Sequence, residues 1–201
     1  MKKTLILLAG YPGTGKSYLC NMILEREGSF KVLSQDDIKE KLWDELGFDN
    51  VHEKEMITQL SWSYYYKTMK EFLENGVSII SDYPFSEKQK PMIDFLSKKY
   101  GYQVITIRLI ADLNVLFKRQ MKRDIDTGRH LGHIVTCYHY GDTMENRNNA
   151  DCLVGYEEFI ERCKTRGYGT FKLGYLIELD VTDFNSADYV SVLKRVENLL
   201  Y

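Results

Sequence analysis

Short apolar runs alternate with longer amphipathic stretches along most of the chain. Residues 4–9 form one continuous apolar run, which suits a strand covered by helices on both faces. A helix is predicted over 15–27, with Leu19, Cys20 and Ile23 facing inward. A short strand over 30–33 follows, then a helix over 36–46 with Ile38, Leu42 and Leu46 at four-residue spacing. A long helix is expected over 52–74, carrying Met56, Leu60, Met69 and Leu73, and Gly76 stops it. Further strands are predicted over 77–81, 102–110 and 173–179. Helices are predicted over 86–100, 112–124, 156–166 and 186–201. Strands separated by helices imply an α/β fold in three layers, with a five-stranded parallel sheet and helices on both faces.

The stretch 124–172 breaks this rhythm. It is rich in Gly, Asn, His and Tyr, and long irregular segments within a compact domain are usually functional. It reads as a lid inserted in a single domain spanning 1–201, the alternative being a disordered surface insertion.

Composition narrows the function classes. The chain has 201 residues, 44% hydrophobic and 28% charged, with 3 Pro. A collagen-like or disordered chain is excluded. The 27 Lys and Arg nearly balance the 29 Asp and Glu. A protein held on nucleic acid by overall charge would be more basic. Lys2 and Lys3 precede an apolar run too short for a secretory signal or a membrane span. Cys20, Cys137, Cys152 and Cys163 form no CxxC pair, so free thiols and a cytoplasmic location are expected.

Chemistry enters at residues 10–17, Gly-Tyr-Pro-Gly-Thr-Gly-Lys-Ser, which match G-x-x-x-x-G-K-[ST] between a strand and a helix. Backbone N–H groups of such a loop converge on phosphate, and the following helix adds its positive dipole end. Lys16 is expected to neutralise β- and γ-phosphates, and Ser17 to offer an oxygen to Mg²⁺. The expected nucleotide-binding set is Gly13, Thr14, Gly15, Lys16, Ser17, Tyr18 and Arg119.

Three further positions lie where strand ends face the crevice of such a sheet. Asp36 and Asp37 follow the second strand, and either could accept the proton of an attacking hydroxyl. The alternative for both is stabilisation of a helix N-terminus. Asp82 ends the third strand and could hold Mg²⁺ or the acceptor. Arg119 and Arg123 share one helix face and lead to Arg129. A guanidinium there would stabilise charge on a transferring phosphoryl group. There is no Asn-Lys-x-Asp motif of a GTPase, and Tyr83 rather than Glu follows Asp82, which favours transfer over hydrolysis.

These residues resemble the P-loop kinases of the nucleoside-monophosphate-kinase-like group, in the branch of polynucleotide 5′-kinases, zeta-type toxins and small-molecule kinases. The resemblance rests on the loop at 10–17, Gln35-Asp36-Asp37-Ile38-Lys39, Ser81-Asp82, and Arg119 with Arg123. It implies a P-loop NTPase fold, ATP as co-substrate, Mg²⁺, and an acceptor-binding arm over about 36–75. It casts Asp36 as the acceptor-activating base, Arg123 as the transition-state arginine and Arg119 as the base-stacking one. The segment Arg129-His130-Leu131-Gly132-His133 resembles lid sequences of ATP-binding members.

The expected catalytic set is Lys16, Asp36 and Arg123. Asp37, Lys39, Asp82, Arg129 and His133 serve acceptor or lid, and Ser17 with Asp82 the metal. Lys39 stands where polynucleotide kinases of the branch carry Arg, so a small-molecule hydroxyl acceptor is favoured. Alternatives are a polynucleotide 5′-hydroxyl acceptor or a non-catalytic nucleotide sensor. From Asp36 to Glu55 there are eight acidic and three basic residues. That stretch would repel a phosphate polymer and suit a neutral or cationic acceptor. Trp62, Tyr64, Tyr65 and Tyr66 could stack on an acceptor or belong to the core. His130, His133, Cys137 and His139 do not follow a standard zinc spacing.

Overall fold

A computed structural model describes residues 2–201. In chain order the strands are β1 (Thr4–Gly10), β2 (Lys31–Val32), β3 (Ile79–Asp82), β4 (Gln103–Ile110) and β5 (Tyr175–Asp180). The helices are α1 (Lys16–Arg26), α2 (Gln35–Leu46), α3 (Val51–Glu74), α4 (Lys90–Tyr100), α5 (Leu113–Asp124), α6 (Tyr156–Thr165) and α7 (Tyr189–Leu200). The sheet is parallel throughout, in the order β2-β3-β1-β4-β5. This is the α/β fold with a five-stranded parallel sheet that the sequence pattern implies.

The central strand β1 is buried along its whole length, which is why its sequence is apolar without alternation. Ile6 and Leu8 face a core shared with α1 and α7, through Leu19, Ile23, Val192 and Val196. Leu5, Leu7 and Ala9 face the opposite core, with Tyr65, Met69 and Leu73 of α3 and Ile93 and Leu96 of α4.

Several boundaries and faces differ from expectation. The strand expected over 30–33 pairs only at Lys31 and Val32, on the sheet's edge. The helix expected from 86 starts at Lys90. Ser86 and Gln89 instead close a side-chain turn before Pro91, a residue the first helical turn tolerates because it lacks only an unneeded N–H. In α3 the inward stripe is Ile57, Ser61, Tyr65, Met69 and Leu73, leaving Met56 and Leu60 exposed. Ser61 can occupy that stripe because Gln35 donates a 2.7 Å hydrogen bond to its hydroxyl. Leu46 is likewise exposed, and Trp43 takes the buried position on α2. The aromatic run divides as core plus surface. Tyr65 is fully buried, its hydroxyl 2.8 Å from that of Ser81, while Tyr64 is exposed.

The stretch between α5 and α6 is irregular, with short 3₁₀ turns at Leu131–His133 and Arg147–Asn149. It packs on the α2–α3 arm. Leu131, Ile134, Val135 and Tyr138 meet Leu42, Trp43, Phe48 and Ile57 in a separate apolar cluster. Phe48 and Tyr138 exchange two backbone hydrogen bonds of 2.8 Å, an antiparallel bridge. No helix among the described residues is long and apolar enough to cross a membrane.

Candidate active site

The carboxyl ends of β1 and β3, the N-termini of α1 and α2, and the sides of α5 and α6 surround one cleft of about 510 Å³. Its position outside the strand ends is where parallel α/β sheets bind ligands.

The loop from Gly10 to Gly15 forms one wall. Gly10 has φ +108, and a Cβ there would lie 2.0 Å from the Leu109 carbonyl oxygen, so only glycine lets β1 end against β4 in this way. Gly13 and Gly15 also have positive φ, and Gly15 caps α1 without a side chain. The Thr14 hydroxyl and the Lys16 ammonium each donate a 2.8 Å hydrogen bond to the Tyr11 carbonyl. Burial in the loop, with the charge of Arg123, lowers the Lys16 pKa to about 8; Asp82 and Asp36 oppose this. A polyanion bound in the loop would relieve that strain on the ammonium.

Beside the loop the Ser17 hydroxyl donates to Asp82 Oδ2 at 2.8 Å. Parallel pairing sets Leu8 opposite Asp82, which places the carboxylate at the loop's root. Burial raises the Asp82 carboxyl, aided by the charges of Asp36 and Asp37, and outweighs the Ser17 hydrogen bond and the Lys16 charge. Two hard oxygen donors next to a phosphate-binding loop fit Mg²⁺, which retains several waters and needs few protein ligands.

Asp36 stands in the first turn of α2 and faces the cleft. It accepts a 2.5 Å hydrogen bond from the Lys39 ammonium. Burial alone would raise this carboxyl. The Lys39 ammonium, His133 when protonated in acid and the Arg129 guanidinium outweigh that and hold it well below the usual carboxylate range. Asp37 is exposed and lies outside the cleft lining. Its backbone N–H donates to the Ser34 hydroxyl at 3.2 Å, which caps the first turn of α2.

Arg119, Arg123 and Arg129 all line the cleft, each held differently. Arg119 donates to the carbonyls of Val181 and Thr182, at 2.8 and 2.9 Å, and lies 3.7 Å over the Phe184 ring. Phe184 in turn covers Gly15, where an added Cβ would be 3.3 Å from its ring. Arg123 donates to Gln120 Oε1 at 2.7 Å. Arg129 lies 3.9 Å from both Glu40 and Asp124. The Nε atoms of Arg123 and Arg129 are buried 3.8 and 3.9 Å from Asp124 Oδ1, and none of the three has a hydrogen-bond partner among the described residues.

His133 also lines the cleft, but its Nε2 bonds Glu40 at 2.6 Å, tying the 3₁₀ turn to α2. Burial pushes its pKa down to about 4, so the ring is neutral near pH 7. Tyr18 is 60% exposed and packs edge-on against Tyr189, outside the cleft lining. Sequence reasoning missed Tyr83, Arg162, Arg166, Tyr168 and Phe184, which also line the cleft. They belong to no motif; only folding brings them beside the loop.

The chain belongs to a P-loop family, AAA_33, described as an AAA domain, whose profile matches residues 5–131. The fold is shared with a presumptive kinase from Chloroflexus aurantiacus at 22% identity and a TM-score of 0.75. That match covers 100% of this chain and 97% of the other. A gluconokinase from Sinorhizobium meliloti matches at 14% identity and a TM-score of 0.54, covering 98% and 94%. A sugar kinase from a Janibacter species matches at 13% identity and a TM-score of 0.51, covering 98% and 92%. Comparison with functionally curated proteins gives no match.

Proposed function

We propose that this protein is an ATP- and Mg²⁺-dependent phosphotransferase that moves the γ-phosphate to a hydroxyl of a small-molecule acceptor. The observation that carries the reading is the placing of Asp36 and the phosphate loop on one cleft that Lys16, Arg123 and Arg129 also line. The family and the kinase structures of like fold support the class; the acceptor is inferred from the cleft.

In this reading the loop amides and Lys16 hold the β- and γ-phosphates. The nucleobase rests near the Arg119–Phe184 stack, where a planar group finds both a guanidinium and a ring. Ser17 and Asp82 hold Mg²⁺, which when bound neutralises and orients phosphate oxygens. Asp36 accepts the proton of the acceptor hydroxyl as its oxygen bonds the γ-phosphorus. The bond from that phosphorus to the bridging oxygen breaks, and ADP departs with the electron pair. Arg123 stabilises charge spread over the transferring group. The segment 124–172, fastened to the arm by the Phe48–Tyr138 bridge, covers the reaction as a lid that moves with α2.

The test is incubation of the protein with γ-labelled ATP and Mg²⁺ against a metabolite extract, with Lys16→Ala as control. A labelled small molecule formed only by the wild type supports the reading. ATP binding without any labelled product refutes it in favour of a nucleotide sensor.

A further inference from the structure

Seven cationic side chains and three carboxylates line the cleft. Lys16, Arg119 and Arg123 stand along the nucleotide side. Lys39 is engaged by Asp36, and Arg162 by Glu158. Arg129 is shared between Glu40 and Asp124. Arg166, just past the C-terminus of α6, is different: no carboxylate lies within 4.0 Å of it among the described residues. Its Nη1 donates to the Tyr168 hydroxyl at 3.3 Å, the one hydrogen bond its guanidinium makes among them. Arg166 is exposed and lines the cleft, with the Glu158 carboxylate acting on its charge from beyond 4.0 Å.

The surroundings suit an anion. Tyr83 lines the same stretch, braced edge-on by Trp62 at 4.9 Å. It lies within electrostatic reach of both the Asp36 carboxylate and the Arg166 guanidinium, so base and open cation share this part of the cleft. Of the eight acidic residues from Asp36 to Glu55, only Asp36 is in the lining. Most of the arm's carboxylates thus lie outside the lining, while a cation with no carboxylate within 4.0 Å lies in it.

Resting on the phosphotransferase reading, we propose that the acceptor is a small hydroxylated anion. Its hydroxyl meets Asp36, and its carboxylate or phosphate is taken by the Arg166 fork beside Tyr168 and Tyr83.

The probes are an alditol, the aldonate of the same carbon chain and the alditol monophosphate, at three to six carbons. Binding to the full chain with ADP and Mg²⁺ is measured by calorimetry, for wild type, Arg166→Gln and Arg166→Lys. Melting temperature checks that each variant is folded. An anionic member should bind and its alditol should not. Arg166→Gln should weaken that binding about ten- to hundred-fold, with Arg166→Lys restoring only part. Aldonate and monophosphate arms then separate the two anionic groups. Equal binding of alditol and anion, no binding by any anionic member, or unchanged binding in Arg166→Gln overturns the proposal. Transfer from labelled ATP is scored separately. Alditols phosphorylated in place of anions refute the anionic acceptor while the kinase reading stands. Anions bound through Arg166 without any transfer refute the kinase reading while the anion site stands.

Discussion

Asp36→Asn removes one carboxylate oxygen charge and little else. The side chain keeps its size, its place in the first turn of α2 and its distance from the loop. Two consequences follow from the surroundings. A positioned general base contributes roughly 10²- to 10⁴-fold to rate, about 3–5 kcal/mol of barrier. Turnover should fall within that range. ATP affinity should hold or tighten slightly, since one negative charge leaves a site that receives a polyanion. The second consequence concerns pH. Asp36 acts as base only while ionised, and Lys39 at 2.5 Å helps hold its carboxyl low. The acid limb of the wild-type rate therefore lies well below neutrality. Lys39→Met removes the main lowering charge, so the limb should move to higher pH. Label transfer to acceptor reads turnover, and a fluorescent nucleotide reads affinity. Near-wild-type turnover in Asp36→Asn would refute the base assignment. A loss of ATP affinity parallel to the loss of rate would make Asp36 a binding residue.

Other expectations rest on separate features. Arg123→Ala should lower turnover more than ATP affinity, and equal losses would reassign it to ground-state binding. Lys16, with its pKa lowered to about 8, should take up a proton when phosphates bind. ATP binding should therefore weaken as pH rises above about 8, and calorimetry in buffers of different ionisation enthalpy should show proton uptake near that pH. For folding the sign is opposite: between about 8 and 10.5 the unfolded chain holds more protons at this lysine, so its contribution to stability rises with pH there. Gly132→Ala would place a Cβ 2.7 Å from Trp43 Cε3, on a ring that is 2% exposed. Overpacking of this kind costs about 1–3 kcal/mol, and chemical denaturation should report it.

The phosphate loop was legible because its function is local. Eight consecutive residues supply the amides, the glycines and the lysine, and the flanking strand and helix follow from periodicity alone. The order of strands and helices was legible for a similar reason: β1 is apolar at every position since both its faces are covered. Asp36 and Asp82 could be nominated because parallel strands direct their C-terminal ends to one edge. Asp37 could not be separated from Asp36 by sequence, since the two differ only in the direction a helix turn points them. The inward face of α3 was misread in part because Ser61 is buried by a hydrogen bond to Gln35, a polar contact with no hydrophobic signature.

Tertiary structure alone decided the far wall of the cleft. Phe184 reaches Gly15 and Arg119 from a turn more than sixty residues downstream. Arg166 stood in sequence as one charge at the end of a predicted helix, with nothing to mark it. Packing left it in the cleft with Tyr83 and no carboxylate within 4.0 Å, whereas Arg162 one turn earlier pairs with Glu158. The histidines of the 124–172 stretch were legible as residues but not in their roles, for burial and Glu40 turn His133 into a neutral clasp. Phosphate binding was thus determined by contiguous sequence, because a loop and a helix end suffice for it. Acceptor selection was decided by the fold, because it depends on which charges remain unpaired after distant segments meet.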